Sequence, residues 1–582
     1  MLPPPESLHT GALPAIDCGL TAIAVAVSFA WPRLGSRWFA RIETFFGRFA
    51  RRRRLAVVSV GLGALVLRIA ILPVLPVPLP FVPDDFSFLL LADTFAHGRL
   101  ANPTPAMWTH LETIHVSMQP TYSSMYFPGQ GLLLAAGQVL LGHPWYAVLV
   151  VSALMCAAIC WMLQAWLPPG WALLGGALAV LRLGLFSYWI NTYTGGGQIL
   201  ALGGALVLGS LPRLMKSKRL RYGVLLAIGV IALALTRPYE GMLLCLPVAA
   251  ILIHWAFWGR NRPTRSALLN FAVLPLTLIL AALSWLGYYN YRAFGSALTL
   301  PYTVNRATYA MAPYFVWQSA RPEPFYRHKE MRDFYYRTEM TGYTEMHSRL
   351  WFVPRTVGKI CYACGFFASY ILLPPLMMLP YLFRDRRIRW LLVCVLVLMA
   401  GAVIMIYLIP HYLAPFTPAF YGIGLQCMRH LRCWTPEGKP AGIALVRLTV
   451  AVCFVLASIR VFAAPLRLTG PEWPAGNWVL SWFGPEHFGT ERAQIQDYLE
   501  HQPGKQLAIV RYAGKREPLD QWVYNSADIE GSKVVWAGEV DSASDRELLS
   551  YYQDRKVWLV EPDSTPARIS SYQLAPALPT VR

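Results

Sequence analysis

Apolar residues occur in this chain as long unbroken runs, without the alternation of a half-buried strand, and such runs recur from residue 12 to residue 464. An α-helix needs about 20 consecutive apolar residues to cross a bilayer, and it meets its own backbone hydrogen bonds where no water can. By that length criterion the chain is an α-helical polytopic membrane protein of about twelve spans. They are expected over 12–31, 55–77, 145–166, 171–190, 195–214, 223–236, 241–258, 268–289, 360–383, 390–409, 412–427 and 448–463. The run 129–142 is shorter and bounded by Pro128 and Pro144. It reads as re-entrant or interfacial, because counting it as a crossing would put Lys216 on the wrong side of the membrane. The first run is followed by basic residues, not preceded by them, and shows no small-residue cleavage site, so it reads as a retained span.

Composition agrees: of 582 residues 55% are hydrophobic and only 14% charged, whereas soluble chains carry roughly a quarter charged residues. A net charge of +20 in a soluble protein would suggest nucleic acid as partner. Here the Lys and Arg sit in short clusters between apolar runs, at 33–54, 216–221, 260–265, 384–389 and 429–447, the distribution of cytoplasmic anchors. Nucleic acid is therefore excluded and membrane lipid is the medium. Alternation from these clusters gives three parts: an N-terminal span with a basic cytoplasmic segment (1–54), a transmembrane module (55–464) with outer loops 80–128 and 291–359, and an outer region 465–582. In the last part the composition turns soluble. Strand-like runs at 507–512, 533–536 and 556–560 alternate with helical stretches at 491–500 and 544–552, which predicts a small C-terminal α/β domain with a partly parallel sheet. Trp473, Trp478 and Trp482 before it are expected at the lipid headgroups. No Cys follows residue 464, so a disulfide framework is excluded there. Cys361 and Cys364 lack a second ligand pair and read as small apolar residues.

The first outer loop opens with Pro83, Asp84 and Asp85, then an apolar stretch too short to cross and a stop at Gly98. This is a surface helix presenting two acids at the lipid interface. Either acid can equally be its cap.

These residues, with Ala92, Gly98, Leu100, Asn102, Pro103 and the run Tyr126-Phe127-Pro128-Gly129, resemble the GT-C membrane glycosyltransferases, specifically family 39, the protein-mannosyltransferase and aminoarabinose-transferase-like group. The resemblance covers roughly 55–421 and is strongest in the first loop. Members usually carry Asp-Glu where this chain has Asp84-Asp85. What the resemblance implies is an inverting transfer of a hexosyl or pentosyl group from a polyprenyl-phosphate-linked sugar to a glycan, lipid or protein acceptor. The transfer would take place outside the cytoplasm, on the inner membrane of a bacterial cell envelope. It also implies a carboxylate base, Asp84 or Asp85, and cations for the departing phosphate. Arg237, in the outer hairpin with Tyr239 and Glu240, is the leading cation, although an Arg237–Glu240 pair can equally staple the turn. Asn191 and Tyr193 stand in a glycine-rich hairpin that either approaches a ligand or lets helices pack closely. Asn305 and Arg306 lie among aromatics suited to sugar and phosphate, or to an ordinary interfacial loop. His411 and Tyr412 follow a span where relatives often have Arg-Tyr, so a permanent cation is replaced by an imidazole. No cofactor is assigned; no metal ligand set is evident, and the resemblance leaves room for a divalent ion. Two other readings fit a polytopic chain: a transporter or flippase of a lipid-linked or anionic solute, and a non-catalytic envelope assembly protein.

Overall fold

The computed structural model describes residues 12–386, 388–463, 466, 468, 489–514 and 519–573. Within them six helices are long and apolar enough to cross a membrane: Leu13–Ala30, Pro144–Trp166, Gly197–Ser217, Pro238–Trp258, Arg265–Phe294 and Ala441–Phe462. Four shorter apolar helices accompany them, Pro128–Leu141, Pro169–Gly184, Leu220–Thr236 and Arg389–Val403. The protein is thus an integral membrane protein, mostly helical. Gly197–Ser217 packs against Leu220–Thr236 and Pro144–Trp166. Glycine makes the first of these contacts close: a Cβ on Gly229 would sit 2.7 Å from the Gly203 carbonyl oxygen, an approach that only small residues permit.

Several expected spans differ in form, and in three of them proline is the common cause, since it removes a backbone donor and ends a helix. The run 55–77 is the helix Arg53–Ala70, ended ahead of Pro73 and Pro76. The run 360–383 is the helix Phe352–Phe367, then Ser369 in the left-handed region (φ 54°) and two single turns, Leu373–Leu376 and Leu379–Leu382. The run 412–427 starts as the 3₁₀ turn Pro410–Phe416 before Thr417–Arg432. The run 171–190 is also interrupted, by a π-helical turn over Val180–Gly184.

Each break frees backbone groups that lipid cannot satisfy, and buried side chains meet them. Arg68 donates to the carbonyls of Leu75 (2.8 Å) and Pro76 (3.2 Å) and to Asn191 Oδ1 (2.9 Å). Arg182 donates to the carbonyls of Phe366 and Ala368, both at 2.9 Å. Asp17, buried in the first helix, accepts from the Ser369 hydroxyl and from the Tyr370 amide, which pins that helix to the break at Ser369. Cys361 and Cys364 are free thiols on Phe352–Phe367.

In the first outer loop the surface helix is Pro83–Ala96, followed by a two-stranded hairpin of β1 (Val116–Ser117) and β2 (Ser123–Ser124). The C-terminal region holds a four-stranded sheet of β3 (Lys505–Val510), β4 (Val534–Gly538), β5 (Arg555–Glu561) and β6 (Arg568–Ser571), in the order β4-β3-β5-β6. Strand β3 pairs parallel with β4 and with β5, and β6 closes the edge antiparallel. The helices Thr490–His501 and Ser542–Tyr551 accompany it. Trp473, Trp478 and Trp482 lie outside the described residues.

This sheet region is docked on the first loop. Tyr524 stacks on Phe86 of the surface helix at 4.3 Å with the rings 6° from parallel, and the Arg492 guanidinium lies over the Phe86 ring at 4.5 Å. Thr113 donates to Gln521 (2.8 Å), Tyr122 to the Asn525 carbonyl (2.9 Å), and Asp93 accepts from the Ala527 amide (2.8 Å). Loop and sheet share one apolar cluster, with Leu90, Val116 and Tyr122 beside Leu507, Ile509 and Val535. Removal of the buried Tyr524 ring should therefore destabilise the loop as well as the sheet. Tyr524→Ala is expected to cost roughly 3–5 kcal/mol and to speed limited proteolysis within both 97–125 and 519–573; cleavage confined to the C-terminal region would contradict the docking.

Candidate functional site

The two acids of the surface helix face different surroundings. Asp85 stands in the first turn and turns back onto the backbone: its Oδ2 accepts from the Phe81 amide (3.3 Å) and its Oδ1 from the Tyr193 amide (2.9 Å). It is fully buried and ties the segment entering the helix to the glycine-rich hairpin; the helix start at Val82 carries no side-chain cap bond from either acid. Burial raises its pKa and the two amides oppose that. The Asp84 charge next door adds to the rise, and the carboxyl is pushed up to about 7.

Asp84 opens instead onto a cavity of about 790 Å³. Its Oδ1 meets His115 Nδ1 at 2.6 Å and accepts from the Tyr126 hydroxyl at 2.5 Å, while Oδ2 accepts from Thr194 Oγ1 at 3.0 Å. Burial works against ionisation of Asp84, but His115 and Tyr126 outweigh it and hold the carboxyl well below the usual carboxylate range. His115 is itself placed with care. It adopts a left-handed backbone (φ 64°), which costs a non-glycine residue roughly 1–3 kcal/mol. Its carbonyl accepts from Ser87 Oγ (2.7 Å), Ser87 bonds Ser124 Oγ (2.7 Å), and Ser124 Oγ accepts from the Tyr126 amide (3.1 Å). The surface helix and the hairpin thereby fix His115 and Tyr126 against Asp84.

Tyrosines and cations make the rest of the wall. Tyr302 packs edge-on against both Tyr126 and Tyr314, each at 5.6 Å. Arg306 forms a two-pronged pair with Glu339 (2.9 and 2.7 Å) and lies over Tyr314 at 4.5 Å. Arg355 and Lys359 line the cavity one helical turn apart. Arg355 is paired with Glu345, whereas Lys359 donates to the Met405 carbonyl and has no carboxylate partner among the described residues. His411 accepts or shares the Tyr188 hydroxyl at Nδ1 (2.9 Å), and its amide donates to the same oxygen (3.0 Å). Burial and the nearby Arg237 charge depress its pKa well below the ordinary histidine value, so it is a neutral imidazole.

Of the residues singled out in the sequence, Asp84, Arg306, His411 and Tyr412 line the cavity. Arg237 sits one layer behind, paired with Glu240 (3.0 Å) and covered by the Tyr412 ring at 3.6 Å. Tyr193 donates from its hydroxyl to the Pro78 carbonyl, and Asn305 donates to the Val116 carbonyl (3.1 Å); both hold the walls. Asn191 is used entirely by Arg68 and the carbonyls of Leu185 and Ser187, and Tyr239 bonds the Gly401 carbonyl (3.2 Å), so neither reaches the cavity. The glycines after Thr194 serve close packing: a Cβ on Gly195 would meet the His411 ring at 2.6 Å, and one on Gly197 the Trp189 ring at 2.4 Å.

Sequence reasoning missed His115, Glu339 and Lys359 as wall residues, and carried Thr194 and Tyr302 only as members of the glycine-rich hairpin and of the aromatic stretch around Asn305 and Arg306. His115 stands directly before the first of two short strand pairs, and nothing in the local pattern says that it folds back onto Asp84. Among the described residues no three His, Cys, Asp or Glu side chains gather as a metal ligand set; at the cavity, Asp84 and His115 offer two donors already bonded to each other.

No family model matches the sequence, and no curated protein matches it. Among solved structures the chain is similar to ArnT from Cupriavidus metallidurans in the apo state, at 15% identity and a TM-score of 0.45 over 86% of this chain and 93% of that one. It is also similar to the Archaeoglobus fulgidus oligosaccharyltransferase tethered with an acceptor peptide, at 11% identity and 0.44 over 86% and 69%. A third similar structure is the archaeal oligosaccharyltransferase AglB from the same organism with an inhibitory peptide and a dolichol-phosphate, at 10% identity and 0.38 over 86% and 69%.

The two acids carry opposite pH signatures. Unfolded, Asp85 ionises near 3.8; folded, near 7. Across that window the unfolded chain has released a proton that the folded chain keeps, so the Asp85 contribution falls as pH rises. Asp84, with its depressed folded value, stabilises above the unfolded value and loses that contribution only at lower pH. Thermal unfolding in detergent should therefore show wild type losing stability relative to Asp85→Asn between pH 4 and pH 7; parallel profiles would mean that Asp85 is ionised in the fold.

Proposed function

We propose that this protein is a glycosyltransferase that moves a sugar from a polyprenyl-phosphate carrier to an acceptor hydroxyl or amine at the outer face of the membrane, with Asp84 as the general base. The observation that carries the reading is the placement of Asp84: a carboxylate on the cavity wall, bonded by His115, Tyr126 and Thr194, with the cations Arg306, Arg355 and Lys359 on the same wall. A carboxylate so held can take a proton from an acceptor, and nearby cations can receive the negative charge that leaves with the phosphate.

The acceptor atom attacks the anomeric carbon while the bond to the phosphate oxygen breaks on the opposite side, which inverts that carbon. The acceptor proton passes to Asp84, and the electron pair departs with the lipid phosphate. Lys359, the wall cation without a carboxylate partner among the described residues, and Arg355 beside it are assigned to that phosphate. Arg237 acts through the ring it carries: it keeps Tyr412 in the wall and, by its charge, helps keep His411 neutral. Asp85, Tyr193, Glu240 and Asn305 position the wall residues, and Arg306 with Tyr412 and His411 offers donors and ring faces to a sugar. The basic clusters, read as cytoplasmic, support an orientation with this cavity and the C-terminal region outside the cytoplasm, and the family resemblance supports a bacterial inner membrane. The family resemblance of the first loop supports the same reading.

The test is a pair of variants assayed with a polyprenyl-phosphate sugar donor. Asp84→Asn keeps the shape and loses the base, and should lower kcat by roughly 10²-fold to 10⁴-fold with donor affinity kept. Lys359→Gln should weaken donor binding with a smaller change in kcat. A folded Asp84→Asn protein at full activity would end the base assignment, and unchanged donor affinity in Lys359→Gln would end the phosphate assignment.

A further inference from the structure

Far from the cavity, the helix Ser36–Ala50 has three distinct faces. At about 100° per residue, Phe39, Glu43, Gly47 and Ala50 fall on one side, Trp38, Ile42 and Phe45 on a second, and Arg37, Arg41 and Arg48 on a narrow third. The first side meets the protein. Glu43 bonds Arg432 (2.9 and 2.8 Å) and Arg447 (2.8 and 3.2 Å), Arg447 lies over Phe39 at 5.6 Å, and Ala50 is wholly buried. The only acid of the helix is therefore consumed in anchoring it. The second side is open: Trp38 and Phe45 are each 69% exposed and Ile42 54%. The third side is exposed as well, with Arg41 against the Trp38 ring at 5.2 Å.

An open aromatic stripe bordered by an arginine stripe is the form of a helix that lies flat in a lipid interface, rings toward the acyl chains and cations among the headgroups. Its place in the fold agrees. The helix Arg53–Ala70 leads from it toward the surface helix of Asp84, and its 18 residues span about 27 Å, so Ser36–Ala50 lies at the opposite membrane face from the cavity. Arg33 before it and Arg51, Arg52, Arg53 and Arg54 after it leave no acid but the anchored Glu43 to offset the charge.

We propose that Ser36–Ala50 is a binding surface for anionic phospholipid in the leaflet opposite the cavity, with Arg37, Arg41 and Arg48 on the headgroup phosphates and Trp38, Ile42 and Phe45 in the acyl boundary. The occupant is fixed by complementarity: a row of cations beside an apolar stripe matches an anionic headgroup above its own chains, and matches neither a free anion nor a second copy of the same cationic helix. The surface does not depend on the transferase reading.

The test uses the full-length protein in phosphatidylcholine bilayers with trace spin-labelled phosphatidylglycerol or spin-labelled phosphatidylcholine, and reads the motionally restricted fraction of each. Wild type should prefer phosphatidylglycerol. The variant Arg37→Gln/Arg41→Gln/Arg48→Gln should lose that preference by up to roughly fivefold per arginine, and Arg37→Lys/Arg41→Lys/Arg48→Lys should retain most of it. Arg260→Gln/Arg262→Gln/Arg265→Gln, which removes equal charge from a segment without an apolar stripe, should retain it too. No preference in wild type, or equal loss in both Gln triples, would overturn the proposal. Spontaneous cross-linking of Trp38→Cys between copies in dilute bilayers would also overturn it, since the stripe would then be a protein interface.

Discussion

A carboxylate at the edge of a membrane keeps its charge only where partners replace its water, and the hold of His115 and Tyr126 on Asp84 is the interaction around which the cavity end of this protein is organised. Desolvating a carboxylate costs several kcal/mol, while each hydrogen bond to a charged group returns about 1.5–3 kcal/mol. Three partners, His115, Tyr126 and Thr194, are enough to tip that balance. They come from two separate parts of the chain, and each is fixed by its own scaffold. The hairpin of β1 and β2 sets His115 and Tyr126, Ser87 and Ser124 lock the hairpin to the surface helix, and the glycine-rich turn delivers Thr194. Behind the helix, Tyr524 and Arg492 press on Phe86. The C-terminal sheet thus backs the helix that carries Asp84 and contributes to its rigidity from outside the membrane.

The bilayer imposes the second constraint, and it explains features that would be defects in a soluble fold. Helices broken near Ser369 and at Val180–Gly184 expose carbonyls in a region without water. Arg182 and Asp17, buried charges that a simple hydropathy reading would treat as costly, serve those breaks. Arg68 does the same where Arg53–Ala70 ends, and in doing so holds Asn191. The breaks bring wall residues of the cavity together: Tyr188 follows the π-helical turn, and His411 lies in the 3₁₀ turn that precedes Thr417–Arg432.

Long helices were legible in the sequence because an apolar run of bilayer length has one cheap conformation, and the observed Pro144–Trp166 and Pro238–Trp258 lie within a few residues of expectation. The three strands expected at 507–512, 533–536 and 556–560 lie close to β3, β4 and β5 for a similar reason, buried β-branched runs between turn residues. The fourth, Arg568–Ser571, is short and polar and gives no such signal. Where hydropathy alone misleads is at proline, which is why 360–383 looks like one span and is several short pieces. The pair Asp84-Asp85 stands at the cavity, but adjacent residues on a helix point about 100° apart, and only tertiary context separates the one that binds the Phe81 and Tyr193 amides from the one that faces the cavity. For Arg237 the pair with Glu240 is one of two readings open in the sequence, and it is the one the fold shows; the Tyr412 ring that covers it is far away in the chain and gives no local signal. Lys359 was hidden for the converse reason: it stands at the edge of an apolar run and its surroundings come from Met405 and Arg355.

The central claim, sugar transfer from a lipid-phosphate carrier, is tested most directly by mass spectrometry of membrane lipids and surface glycans from cells with and without this protein. The account predicts that its loss leaves a polyprenyl-phosphate sugar in excess and a surface glycan without that sugar, both restored by wild type and not by Asp84→Asn. Unchanged lipid-linked sugars and glycans would contradict it, and an accompanying change in solute uptake would turn the same cavity into a transport site.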